Sequence, residues 1–245
     1  MRYFWRMWSV LLVLTGIFAG ITQVQGAAPP DPEKIATEKI QDMRATLTVR
    51  KTNRSELKKM GGAFATTYSV REMDVTYKYP NKARFEGKIL GATVMMVYNG
   101  DMKIFKTPIT GTQKKDVSGQ PGQKQTLMDL GIFAKDYILT DYKPVYQRTE
   151  KGLHVFKMVQ RNTDNSSHEI VWVNPKTAII EKRMSYNGDN VLQKELRYVK
   201  PRQVRPGIWV PTQIEVYNQE GKLGLVQSVD NVKINLGVNE TAFEI

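Results

Sequence analysis

Residues Val75 to Lys106 read VTYKYPNKARFEGKILGATVMMVYNGDMKIFK. Val75, Tyr77 and Tyr79 alternate with Thr76 and Lys78, and Phe85 and Ile89 alternate with Arg84, Glu86 and Lys88. Successive strand side chains point to opposite faces, so this period of two marks strands with one packed and one wet face. Val94 to Tyr98 breaks the rule, being apolar on both faces. Asn99-Gly100 then supplies the positive φ that a tight hairpin turn requires. Three strands are predicted here, and the additional apolar face needs a cover. Val75, Tyr77, Tyr79, Phe85, Ile89, Met95, Val97 and Phe105 are the expected wall of an apolar cavity.

The cover is sought further along. Pro108 to Lys124 is rich in Gly, Thr, Gln and Lys and reads as a mobile loop. A short, very apolar helix is expected over Gln125–Ala134. Leu127, Leu130, Ile132 and Phe133 are its candidate lid residues, whether the segment plugs the sheet or opens over it. Beyond it, strands recur at roughly ten-residue spacing to the C-terminus, separated by polar turns such as Asn174–Thr177 and Asn187–Asn190. That rhythm, with no strand-helix-strand spacing, predicts an antiparallel barrel or sandwich. Upstream, Asp31-Pro32-Glu33 reads as a helix start, with Ile35, Ala36, Ile40 and Met43 as its apolar stripe. Period-two alternation begins at Ala45, and Lys51–Lys59 reads as a loop.

Location follows from the start of the chain. Arg2 and Arg6 precede an apolar run from Met7 to Ile21, and small residues follow before Pro29-Pro30. A basic start, a short apolar core and a small-residue exit describe a secretory leader. The run is shorter than the ~20 residues that span a bilayer. Residues 1–26 are the expected leader and 27–245 a single exported domain, soluble after cleavage. The chain has no cysteine, which excludes a disulfide framework, a thiolate metal site and a catalytic thiol. Lys and Arg number 36 against 24 Asp and Glu, a net charge of +12. The basic residues are scattered, as on a solvated surface or one that touches anionic membrane faces. No nucleic-acid recognition element accompanies them.

Catalytic signals are weak. His154 and His168 are the only histidines, and neither sits in a metal-ligand motif. There is no nucleophile elbow and no Gly-rich phosphate cradle. No catalytic residue, metal or cofactor is expected. Eleven methionines in a strand-rich chain suit an adaptable apolar surface.

Several motifs, in order, carry a resemblance. Tyr79-Pro80-Asn81-Lys82-Ala83-Arg84-Phe85 and Tyr98-Asn99-Gly100-Asp101 before Ile104-Phe105 resemble the Lol-type periplasmic lipoprotein carriers. Trp172–Thr177, Gly207-Ile208-Trp209-Val210-Pro211 and the tail Asn235–Phe243 are similar to the related outer membrane lipoprotein-sorting proteins. The resemblance implies a mainly β fold: an unclosed antiparallel half-barrel with an N-terminal helix and a short helical lid over its concave face. It implies a monomeric, non-enzymatic carrier of acylated lipoprotein or lipid, released from an inner-membrane complex and touching membranes transiently. An envelope-stress sensor built on the same half-barrel is the alternative it leaves open. The carriers place an arginine immediately before the Pro-Asn, where it latches lid to sheet; here Tyr79 stands there.

Overall fold

The computed structural model describes residues 28–245 apart from 62–64, 66, 67, 69 and 162–165. The expected leader over 1–26 lies outside the described residues. Thirteen strands form one antiparallel sheet. They are β1 (Asp42–Thr52), β2 (Glu72–Lys78), β3 (Lys82–Ile89), β4 (Ala92–Asn99), β5 (Met102–Thr107), β6 (Gly111–Asp116), β7 (Tyr142–Glu150), β8 (Leu153–Gln160), β9 (His168–Asn174), β10 (Ile179–Tyr186), β11 (Leu192–Arg205), β12 (Ile208–Asn218) and β13 (Leu223–Ile234). Two meanders, β1 to β6 and β7 to β13, join where β1 pairs with β13. β6 and β7 are the two ends of the sheet and do not pair, so the barrel stays unclosed. Three single-turn to two-turn helices stand among the described residues: α1 (Pro32–Ile35), α2 (Arg54–Lys59) and α3 (Lys135–Thr140). Among the described residues no helix is long and apolar enough to cross a membrane.

The registers explain the doubly apolar strand. Phe85 of β3 pairs with Met96 of β4, and Ala83 with Tyr98; Val75 and Tyr77 of β2 face the same pair from the other side. Phe85 and Tyr98 meet edge to face, ring centres 6.5 Å apart. These residues point into the curl of the sheet. Val97, one position out of phase, pairs with Ile104 of β5 and packs on the opposite face with Val238 and Phe243, Met95 lying against the same group. The additional apolar face is therefore covered by the chain's own C-terminus.

That C-terminus is fastened at several points. Asp42, buried at the start of β1, accepts from the backbone N–H groups of Leu236 and Gly237, both at 2.9 Å. Asn235 adopts a left-handed φ of 55° and its side chain accepts from Gln41 N–H at 2.8 Å. A 3-10 turn over Glu240–Phe243 then lays Phe243, 1 % exposed, against β4. Lys78 donates to Val238 O at 2.8 Å and pairs with Glu240, as does Lys82. Arg84 donates to Ala242 O at 3.0 Å, so it binds the tail.

Four local expectations change. The helix begun at Asp31, whose side chain accepts from Glu33 N–H, lasts one turn, and Met43 belongs to β1. Thr37 instead exchanges backbone hydrogen bonds with Phe133 and Lys135, which draws the chain out of the helix before Ile40 and Met43. Thr52 still belongs to β1, and Lys51–Lys59 otherwise holds α2, whose Leu57 is buried. Its single apolar residue left no periodicity to read. Pro108–Lys124 contains an edge strand, β6, exposed at every position; with no packed face it lacks the alternation that announces a strand. The helix expected over Gln125–Ala134 is a 3-10 turn at Leu127–Leu130 followed by an extended segment.

Candidate functional site

The plug is built by its own capping residues. Thr126 accepts from Met128 N–H while Asp129 accepts from Thr126 N–H at 2.8 Å, a reciprocal cap. Gly131 ends the turn at φ 77°, a conformation suited to glycine. Ile180 N–H donates to Gly131 O and Phe133 N–H to Ala178 O, both at 2.8 Å, so the segment is stitched to β10. On its other side Thr37 bridges Ala134 in parallel. Phe133 stacks on Phe156 with ring centres 5.7 Å apart. Leu127, Leu130, Ile132 and Phe133 are all buried. The segment seals the inside of the sheet over β8 to β11.

Beside this plug, the N-terminal meander leaves space. A cavity of about 370 Å³ is bounded by Leu47, Met73, Phe85, Met96 and Tyr98 on one side, and by Leu130, Leu196 and Ile214 on the other. A second recess of about 300 Å³ adjoins it, sharing Tyr98 and Gln125. The recess is polar: Lys124 pairs there with Asp101 at 2.8 Å and Asp141 at 3.0 Å. Burial works against the Lys124 charge, but hydrogen bonds to the two carboxylates outweigh it and raise the ammonium above its usual range.

The expected wall residues distribute unevenly. Phe85 lines the larger cavity and Tyr77 the smaller. Val75 is buried in the main core. Met95 and Val97 face away from the cavity, beneath the tail, and the neighbours that do line it are Met96 and Tyr98. Phe105 lies across from Met96 but is 39 % exposed at the rim, and Ile89 is partly buried near the end of the β3–β4 hairpin. Of the lid residues, Leu130 borders the cavity. Tyr79 is 39 % exposed and joined by a cis peptide to Pro80. Its neighbour Tyr77 makes the tie across the structure, donating its hydroxyl proton to Asp136 of α3, with Pro80 O 3.2 Å from the same oxygen.

Sequence reading missed a buried polar cluster at the cavity floor. Arg183 of β10 makes a two-pronged pair with Glu169 of β9, at 2.8 and 2.6 Å, and reaches Asp129 of the plug at 2.8 Å. Burial opposes the guanidinium charge; Glu169 and Asp129 overcome it and hold Arg183 well above its ordinary range. Tyr198 donates to Met128 O at 3.0 Å, and burial pushes its hydroxyl up in pKa. Only the β9–β10 pairing and the fold-back of the plug bring these residues together, so no spacing in the sequence announces them. The histidines lie elsewhere. His168 stacks on Tyr186 at 5.1 Å, and His154 contacts Thr149 at 3.0 Å. Among the described residues no group of His, Asp and Glu could hold a metal ion.

No protein-family model matches the sequence, and no curated protein matches it. Solved structures do. A LolA superfamily protein from Nitrosomonas europaea superposes with a TM-score of 0.57 at 16% identity, covering 87% of this chain and 94% of that one. An outer membrane lipoprotein-sorting protein domain from Vibrio parahaemolyticus gives 0.53 at 11% identity, covering 87% and 93%. At such identities the likeness speaks for the backbone. The chain has the LolA-like fold, here an antiparallel sheet curled around a plug and left open between β6 and β7.

Proposed function

We propose that this protein is an exported, non-enzymatic carrier that shields an acyl chain of a lipid or lipoprotein and ferries it from inner to outer membrane. The observation that carries the reading is the cavity of about 370 Å³, bounded by apolar side chains of both meanders and roofed by Leu130. It falls at the small end of the ~300–1,000 Å³ typical of small-ligand pockets. Each methylene moved there from water contributes about 0.8 kcal/mol. Binding on this account needs no reaction. Loading and release belong to transient contacts with a membrane or an inner-membrane complex, and the carrier works as a monomer in the periplasm.

The test is to purify the processed protein from native membranes and identify bound lipid by mass spectrometry, alongside Leu196→Trp to fill the cavity. Co-purifying acyl-chain cargo, lost in the variant, is the expected result. Reproducible absence of bound or bindable lipid in the parent protein would refute the proposal.

A further inference from the structure

The cavity is not lined by apolar residues alone. Lys103 of β5, Lys194 of β11 and Arg183 all reach its surface, whereas among the described residues Asp129 is the one carboxylate in the lining. Asp129 is engaged: one oxygen accepts from Arg183 and the other from Thr126 N–H. Glu169, behind the floor, is likewise taken by Arg183 and Ser185. The acids at this site therefore answer the guanidinium.

Lys103 is differently placed. Its cross-strand neighbours are Tyr98 on one side and Lys115 on the other. Its ammonium lies 5.5 Å from the centre of the Tyr98 ring, and among the described residues it forms no ion pair with a carboxylate. It is partly buried, and burial together with the charge of Lys115 lowers its pKa. Lys194 faces the cavity from the other meander, where burial and then the Arg183 charge lower its pKa in the same way. A partly buried cation with a cation for a neighbour, set in the cavity wall close to apolar side chains, is complementary to an anion. A purely neutral chain would leave that charge desolvated without compensation.

We propose that the cargo is an anionic amphiphile, a single acyl chain ending in a carboxylate or phosphate, whose charged end is held by Lys103 while the chain lies along Phe85, Met96 and Leu130. The proposal rests on the carrier reading and narrows it. The size of the cavity fits one chain better than a bundle of several.

Isothermal titration of the processed protein with dodecanoate, dodecyl phosphate and dodecanol separates the two ideas, because the three differ only at the polar end. Dodecanoate or dodecyl phosphate, or both, should bind at least tenfold tighter than dodecanol at low salt, and the advantage should shrink as salt rises. Which of the two leads tells carboxylate from phosphate. Lys103→Met keeps the side-chain bulk and should bring the three ligands within twofold of one another; Lys103→Arg should restore the preference. Equal binding of the three by the parent protein, or a preference that survives Lys103→Met, overturns the anion site and leaves the carrier reading standing. If none of the three binds, both fall.

Discussion

At the scale of single residues, two positions hold the plug to the sheet by opposite means. Gly131 has no side chain because there is no room for one: a Cβ there would lie 2.5 Å from the Tyr198 ring, and φ is 77°. Gly131→Ala should therefore cost about 2 kcal/mol or more, from clash and left-handed strain together. A fall in the urea midpoint without a change in slope would register it. Arg183 works through charge instead. Arg183→Met strands the buried carboxylate of Glu169, and losing one partner of a buried pair costs about 3–5 kcal/mol. The double variant Arg183→Met/Glu169→Met should recover much of that loss, a recovery that chemical denaturation of the three variants would reveal. Neither residue was legible as a site residue in the sequence. Arg183 sits in an ordinary alternating strand, and Gly131 is one of 18 glycines. Their meaning comes from contacts between segments far apart in the chain.

At the scale of elements, the C-terminal tail is the clearest case. Phe243→Ala removes a fully buried ring from the outer face of β4 and should destabilise the protein by about 3 kcal/mol, read as a lower melting temperature. The tail also answers to pH. Hydrogen bonds from Lys78 and Lys82 hold Glu240 at about 2, below its ordinary 4.5. The folded protein thus binds this proton less tightly than the unfolded chain does. Glu240's contribution is complete above pH 4.5 and fades as the pH falls towards 2. Protection of the Ala242 and Glu244 amides in the same turn, corrected for intrinsic exchange, should fall across that window in the parent protein and change less in Glu240→Gln. The tail's identity as an element was readable from its family-like order of residues, while its docking place was not. Alternation shows that a strand has two apolar faces but not which partner covers each one. The plug was half legible for a related reason. The apolar run marks a short helix, of which the turn at Leu127–Leu130 remains, but the run shows no sign of the pairing with β10 that pulls residues 131–134 straight.

At the scale of the whole molecule, an unclosed sheet keeps two edges. β6 carries Lys114 and Lys115 on a fully exposed strand, the kind of charged edge that discourages pairing with another copy. Replacing both with valine should produce concentration-dependent association in sedimentation velocity, and wild-type protein should remain a single species. The overall architecture was the most legible property, because strand rhythm survives any uncertainty about single positions. The open seam was legible only by resemblance. The order of strands then sets a limit on how this chain can vary through time. Adjacent residues of β4 serve two unrelated covers, Met96 and Tyr98 the cavity, Met95 and Val97 the tail. Exchanging one side chain there disturbs one face, but losing or gaining a single residue swaps every side chain to the wrong face. Homologous chains can drift by substitution along this strand, and length changes should be confined to the turns at either end of it.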